Sequence, residues 1–137
     1  MKMLDPAVNI KSITSLVQNA QQFVVFVSPY SDLEGWDDLK DAINEASGRG
    51  VPVSYYVREK EGLDGLEGLN VKVHEVPLLH AKMFLSESEA IMSSFHLMNN
   101  PDLNWACKLE TQDEYNELYH FFEAYIKQED EQAKEAY

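Results

Sequence analysis

Apolar positions in the first half of the chain alternate between helical and strand spacing. Residues 9–20 place five apolar side chains on one helical face, namely Ile10, Ile13, Leu16, Val17 and Ala20. Residues 22–28 form a nearly continuous β-branched and aromatic run, which predicts a strand covered on both faces. A second helix is predicted over 36–46, stopped by the turn at 48–50, and a second strand over 51–58. This order predicts a right-handed βαβ unit.

The second half of the chain reads as short strands followed by a helix. Strands are predicted over 71–76, 79–85, 90–95 and 105–110, with the sequence SESE at 86–89 as a hairpin turn. Thr111 and Glu114 fit a capping box that begins a helix. The expected buried stripe of that helix is Tyr115, Leu118, Phe122 and Tyr125, and its polar end, 128–137, is expected to be exposed or frayed. The pattern predicts an α/β fold in a single domain over 1–137.

Composition narrows the classes of function. The formal net charge is −13, which is unfavourable for gripping duplex phosphates but leaves room for a small cationic pocket. The single cysteine, Cys107, excludes an intramolecular disulfide and a Cys-cluster zinc site, so a reducing, cytoplasmic location is expected. No signal-peptide pattern and no apolar run of membrane-spanning length is present, so no membrane association is expected. The histidine spacings suggest no metal site, and no cofactor is predicted.

The stretch PLLHAKMFLSESEAIMSSFHL, 77–97, carries the candidate chemistry. His80 and Lys82 lie two residues apart in a predicted strand, so both side chains point to one face. A cation and an imidazole there need compensation, so we expect them to face a polar cleft, a partner or an anion. His80 could act as nucleophile or general acid, Lys82 suits a phosphate oxygen, and Ser94 could donate to the same anion. On spacing alone, a structural histidine is the alternative.

The order of the segments adds a resemblance to a known family. LHAK, a short hairpin and then AIMSSFHL resemble the signature of the phospholipase D superfamily, which is H-x-K, an Asp, and then G-S-x-N. The upstream segments FVVFVSPY, RGVPVSYYVRE and GLNVKVHEVPLLHAK agree in order, so the resemblance extends from about Ile10 to the final helix. It implies a phospholipase D-like mixed β-sheet flanked by helices on both faces.

The resemblance also implies a reaction. In this family two copies of the motif meet at one site; one histidine forms a phosphohistidine and the other protonates the leaving oxygen, without a metal. A chain with one copy is expected to be a homodimeric, nuclease-like phosphodiesterase, with His80 and Lys82 of the two subunits facing each other across a two-fold axis. Its substrate would be a phosphodiester such as nucleic acid. The phosphate-binding positions carried over from the family are Ser93, Ser94, His96 and Asn104.

The chain departs from the family pattern in the supporting positions. The family's Asp, its Gly-Ser pair and its Asn correspond here to Ser86 or Glu87, Ser93-Ser94 and His96. Many relatives also carry an acidic residue after the Asn that matches Asn104, and this residue orients the histidine. Ala106 and Cys107 stand there instead, with Glu110 as a candidate substitute. Because orienting residues fix tautomer and geometry, their loss lowers activity.

Two other hypotheses therefore stand beside the enzyme. One is a catalytically impaired interaction protein on the same fold, which binds a partner such as a basic protein through its acidic surface. The other is an ordinary α/β domain with a chance similarity. Of the remaining candidate residues, His74, His120 and Cys107 are predicted to be structural or surface residues, and Trp36 and Trp105 to pack in the core or an interface.

Overall fold

Alternating helices and strands build the chain, as the sequence predicts. The computed structural model describes residues 1–5, 9–58, 63–64, 68–94, 97–98 and 105–127. The helices are α1 (Asn9–Asn19), α2 (Asp37–Gly48) and α3 (Gln112–Phe121), which continues as a π-helical segment, Phe122–Lys127. The strands are β1 (Lys2–Met3), β2 (Val24–Val27), β3 (Ser31–Asp32), β4 (Val53–Val57), β5 (Leu63–Asp64), β6 (Lys72–Glu75), β7 (Met83–Ser86), β8 (Ala90–Ser93), β9 (Leu97–Met98) and β10 (Ala106–Lys108).

Seven of these strands form one mixed sheet in the order β1-β10-β8-β7-β2-β4-β6. Strands β2, β4 and β6 are parallel, whereas β7 runs antiparallel to β2, and β8 runs antiparallel to β7. The hairpin predicted at 86–89 joins β7 to β8. A smaller sheet, β5-β3-β9, takes strands that follow β4, β2 and β8 in the chain. The predicted α/β architecture is thus confirmed.

The helices cover both faces of the large sheet. Helices α1 and α2 pack on one face, in a core that includes Leu16, Ile43 and Phe26. The π-helical continuation of α3 packs on the other face, where Phe122 and Ile126 join Val27 of β2. All four residues of β2 are buried, as a strand covered on both sides requires. The predicted helical stripe of α1 is also buried, except that Ile10 is only partly covered.

Two helix ends follow the predicted signals. Helix α2 ends at Gly48, and Gly50 then adopts a φ of +83°, a conformation that glycine reaches without steric cost. Helix α3 begins with the predicted capping box, in which the Thr111 side chain accepts a hydrogen bond from the Glu114 N–H. The predicted stripe of α3 is wrong at Tyr125, which is 62% exposed while Ile126 is buried instead, and Tyr115 and Leu118 are only partly buried. Ile126 lies four residues after Phe122, so it stays on the covered side of the helix.

The strand predicted over 79–85 begins later than expected. Strand β7 starts at Met83, so His80 and Lys82 precede it rather than lie within it. His80 is exposed and Lys82 is partly buried, so neither has to be accommodated inside the sheet. The interpretation of LHAK as part of a buried strand is therefore wrong. The apolar residues Leu79 and Met83 on either side of the segment are buried, which explains why the pattern resembled a strand.

Candidate active site

The carboxyl end of the sheet, where the parallel strands β2, β4 and β6 finish, gathers the candidate residues. Val27, at the end of β2, pairs with Met83, at the start of β7. Strand β8 runs parallel to β2, so its last residue, Ser93, lies at this end as well and pairs with Ala106 of β10. The residues directly after β2, β4, β6 and β8, and those directly before β7 and β10, therefore lie at one end of the sheet. Sites in α/β sheets commonly form at such an end.

Three of the sequence-predicted residues line one groove. His80, Lys82 and Ser93 surround a groove of about 400 Å³, together with Ala81, Met83, Met92, Leu118 and Phe121. The Ser93 N–H donates to the Lys82 carbonyl at 3.1 Å, which fixes the two segments side by side. His80, Lys82 and Ser93 supply the polar groups of a mostly apolar lining, and helix α3 contributes Leu118 and Phe121 to it. The structure thus brings together the two motif residues and one of the two candidate serines.

Arg58 joins this group, although the sequence analysis did not select it. Its Nη1 lies 3.4 Å from His80 Nδ1 and 3.5 Å from the Leu79 carbonyl oxygen, to which it donates. Its guanidinium carbon lies 5.2 Å from the centre of the Tyr30 ring, a cation–π distance. Its backbone N–H donates to the Pro29 carbonyl at 3.3 Å. A useful signal was available: Arg58 is the last residue of the second predicted strand, which is parallel to the first, so it had to lie at the carboxyl end of the sheet.

The site is cationic in a chain whose formal net charge is −13. Arg58 and Lys82 form no ion pair with any carboxylate in the described parts of the chain, whereas Arg49 and Lys108 each pair with a glutamate. Cations without an ion pair among the described residues contribute a local positive field that attracts anions. Two positive charges, on Arg58 and Lys82, thus lie at this end of the sheet.

Ser94 is engaged with the backbone rather than with the groove. Its hydroxyl accepts from the Trp105 N–H at 2.9 Å and donates to the Trp105 carbonyl at 3.3 Å. The Ser94 N–H also donates to that carbonyl, at 2.9 Å. This residue fastens the end of β8 to the segment before β10. The other two candidate phosphate ligands, His96 and Asn104, lie outside the described residues.

The position of the family's Asp has a structural role in this chain. The Glu87 carboxylate accepts hydrogen bonds from the N–H groups of Gln21, Gln22 and Phe23, at 3.0, 2.8 and 3.3 Å. Partial burial alone would raise the pKa of Glu87, but these N–H groups outweigh it and hold the pKa below its ordinary value. The neighbouring Ser86 hydroxyl accepts from the N–H groups of Ser88 and Glu89. Both positions lie at the end of β7 opposite His80.

Among the described residues around β10, no carboxylate takes the place of the family's orienting acid. Ala106 and Cys107 are buried apolar positions of that strand. Glu110 lies beyond the far end of β10, where it is 3.4 Å from the amino group of Met1. The suggestion that Glu110 substitutes for the acid is therefore wrong. In the described structure, the group that contacts Nδ1 of His80 is the cation Arg58.

The other weighed residues have structural or surface positions. His74 is buried and stacks on Tyr56, with ring centres 4.4 Å apart. His120 is exposed on α3, and Cys107 is buried in β10. Trp36 is buried in the core, whereas Trp105 is 46% exposed. Among the described residues, no group of three or more His, Cys, Asp or Glu is arranged to hold a metal ion, and no helix is long and apolar enough to cross a bilayer.

Comparison with known proteins places the fold. No protein-family model and no curated protein matches the chain. Among solved structures, the chain is similar to NucT from Helicobacter pylori, with a TM-score of 0.73 and 13% identity over 93% of this chain and 95% of that one. It is similar to Nuc from Salmonella typhimurium, a phospholipase D family member, with a TM-score of 0.65 and 11% identity over 93% of this chain and 92% of that one.

A third similar structure belongs to a longer chain, of which only a part matches. Phosphatidylserine synthase from Haemophilus influenzae matches with a TM-score of 0.67 and 14% identity, over 91% of this chain but only 36% of that one. At such low identities, the three likenesses establish the fold, and the chemistry has to be argued from the residues at the site.

Proposed function

We propose that this chain, which has the phospholipase D-like fold, is a metal-independent phosphodiesterase that acts as a homodimer and is nuclease-like in its choice of substrate. The observation that carries the proposal is the shared groove of His80, Lys82 and Ser93 at the carboxyl end of the sheet. Hydrolysis of a phosphodiester requires a nucleophile or proton donor and groups that hold the phosphate oxygens. The groove offers a histidine, a hydroxyl and a lysine that has no ion pair among the described residues. Histidine supplies a nucleophile or a proton, and the cation and hydroxyl hold phosphate oxygens.

The proposed reaction has two displacements at phosphorus. In the first, Nε2 of His80 attacks phosphorus, the bond to one ester oxygen breaks, and His80 of the partner subunit gives that oxygen a proton. In the second, water attacks the phosphohistidine while His80 of the partner subunit takes its proton. The bond between Nε2 and phosphorus then breaks and a phosphomonoester leaves. Lys82 holds the non-bridging oxygens, whose negative charge it stabilises in both transition states.

The proposed homodimer is supported by the count of motifs and by the exposure of His80. The chain offers one histidine–lysine pair, and the reaction needs a second histidine for the proton transfers. His80 is exposed at the surface, so the same residue of another subunit has access to it. Three large apolar side chains at this end of the sheet are also exposed, Tyr30, Leu78 and Trp105, at 37%, 84% and 46%. Exposed apolar side chains at the end of the sheet that carries a polar site are consistent with an interface there.

A direct assay tests the proposal. The protein is incubated in EDTA with single-stranded DNA, double-stranded DNA, RNA and bis(p-nitrophenyl) phosphate. We expect hydrolysis that His80→Ala abolishes and that His120→Ala leaves unchanged, since His120 is exposed on α3 and is not among the residues that line the groove. Hydrolysis that survives in purified His80→Ala would contradict the mechanism. The oligomeric state is measured in parallel by sedimentation, and an active monomer would contradict the half-site arrangement.

A second candidate function is favoured by one contact. His80 Nδ1 is contacted by a cation rather than by an orienting carboxylate, and a histidine without that carboxylate is a poorer nucleophile. On this alternative, the chain is a catalytically impaired phospholipase D-like protein that interacts with a partner, such as a basic protein, through its acidic surface. It predicts a partner complex that His80→Ala leaves intact and no turnover on any of the four substrates.

A further inference from the structure

We infer that Arg58 is a positioning residue that selects the tautomer of His80, holding the ring proton on Nε2. The inference concerns the site of the proposed phosphodiesterase, and its consequence for rate rests on that proposed function. It begins from the 3.4 Å approach of Arg58 Nη1 to His80 Nδ1. A guanidinium only donates hydrogen bonds and never accepts them, so Nδ1 must present its lone pair to it. A neutral imidazole carries one proton, which is then on Nε2.

Three further contacts hold Arg58 in this position. The same Nη1 donates to the Leu79 carbonyl, one residue before His80. The guanidinium lies over the Tyr30 ring, and its own backbone N–H is bound to the Pro29 carbonyl. Residues that follow β2 thus help to hold the cation against the segment that contains His80. Among the described residues, no carboxylate forms an ion pair with Arg58.

The tautomer of His80 determines whether its ring is better suited to proton donation or to nucleophilic attack. With its proton on Nε2, the ring donates a hydrogen bond to a phosphate oxygen or gives a proton to a leaving oxygen. Attack on phosphorus needs the lone pair of Nε2, so it has to pass through the other tautomer, in which the proton is on Nδ1. A cation at Nδ1 disfavours that tautomer, and a carboxylate there would favour it. Arg58 therefore favours binding and proton donation and slows nucleophilic attack.

Exchanging the group at position 58 tests this directly. Histidine tautomers are read from two-bond and three-bond ¹H–¹⁵N correlations of the ring in ¹⁵N-labelled full-length protein, with His80 assigned by its loss in His80→Asn. Spectra are recorded at about pH 8, above the ordinary titration range of histidine. We expect wild-type His80 in the Nε2–H form, Arg58→Glu in the Nδ1–H form because the carboxylate accepts a hydrogen bond from Nδ1–H, and Arg58→Met as a mixture. Arg58→Lys should keep the wild-type pattern in part.

Controls and rates complete the experiment. The matched control is Arg49→Met, which removes the chain's other arginine at the opposite end of β4 and should leave the His80 pattern unchanged. If Arg58→Glu leaves His80 in the wild-type tautomer, the inference is wrong. Where hydrolysis of bis(p-nitrophenyl) phosphate is measurable, kcat should rise about tenfold in Arg58→Glu, at the lower end of what orienting groups contribute, while KM also rises because a cation is lost. Inverted tautomers without turnover in any variant would uphold the inference and overturn the proposed phosphodiesterase.

Discussion

The guanidinium of Arg58 lies against the ring of His80, with Nη1 3.4 Å from Nδ1. The two residues are 22 positions apart in the chain, and the fold brings them together because β4 ends where the segment before β7 begins. A cation thus occupies the side of the imidazole that faces away from Nε2. The histidine and lysine of the motif are therefore present. The group next to Nδ1 of the histidine, however, is a cation rather than the carboxylate of the family pattern.

Removing the charge of Lys82 should slow hydrolysis without unfolding the protein. Lys82 lines the groove and has no ion pair among the described residues, so Lys82→Gln leaves no buried carboxylate unpaired. We expect kcat/KM to fall by at least about tenfold, since hydrogen bonds from a cation to phosphate are stronger than neutral ones. Lys82→Arg should retain part of the rate. Lys72→Gln, on the exposed edge strand β6, is the control, and an equal loss in both variants would contradict a specific role for Lys82.

The two neighbouring serines should respond in opposite ways to removal of the hydroxyl. Ser94→Ala loses both hydrogen bonds with the Trp105 backbone, so its free energy of unfolding should fall by about 1–3 kcal/mol, with hydrolysis reduced only as far as folded protein is lost. Ser93→Ala should lower kcat/KM, because this serine lines the groove with His80 and Lys82. Chemical denaturation and steady-state kinetics of the two variants check the contrast. A larger rate defect in Ser94→Ala would reverse the assignment.

Glu87 should make the stability of the folded protein depend on pH in the acidic range. Because its pKa is held below the ordinary value in the folded chain, the ionised carboxylate stabilises the protein above the ordinary carboxyl range, and this contribution is lost as the pH falls through the folded pKa. Glu87→Gln should therefore have a lower Tm than wild type at neutral pH, and the difference should shrink below about pH 4. Glu117→Gln, on the exposed side of α3, is the control. A constant difference in Tm at every pH would contradict the linkage.

The hydroxyl of Tyr55 should be dispensable for stability. It is buried without a hydrogen-bond partner in the described structure, and burial raises the pKa of this phenol. Tyr55→Phe removes an unsatisfied polar group and should raise the free energy of unfolding by up to about 1 kcal/mol. Tyr115→Phe is the matched contrast, because the Tyr115 hydroxyl donates to the Ser86 carbonyl and its loss should be destabilising. Denaturant titration of both variants decides, and a clear loss of stability in Tyr55→Phe would point to an unrecognised partner.

Hydrophobic spacing predicted the architecture because it reports what each element packs against. The stripe of α1, the fully buried β2 and the capping box of α3 all depend on neighbours in the sequence, and all three are present. Strand β7 was placed too early because Leu79 and Met83 are buried on either side of an exposed histidine. Burial and strand geometry gave the same pattern there, and sequence alone could not separate them.

The candidate site was only partly predictable for a different reason. His80, Lys82 and Ser93 lie close together in the chain or in a hairpin, so their shared groove follows from local order. Arg58 comes from another strand, and Glu87 binds a loop more than 60 residues away in the sequence. Such contacts are set by the register of non-neighbouring strands, which spacing within one segment does not encode. Ser94 was considered as a donor to the anion, and its bonds to the backbone of Trp105 were not predicted. A hydrogen bond to a backbone group has no signature in the sequence.

The two edge strands of the large sheet limit how copies of this chain can associate. One edge strand is β6, which presents exposed Lys72 and Glu75, and the other is β1, which is two residues long. Charged or very short edge strands discourage the addition of a further strand from another molecule. A symmetric pair built by extending the sheet is therefore disfavoured. The proposed homodimer would instead meet end-on, with the tips of the strands toward each other, so a single contact surface would create the dimer and enclose the substrate.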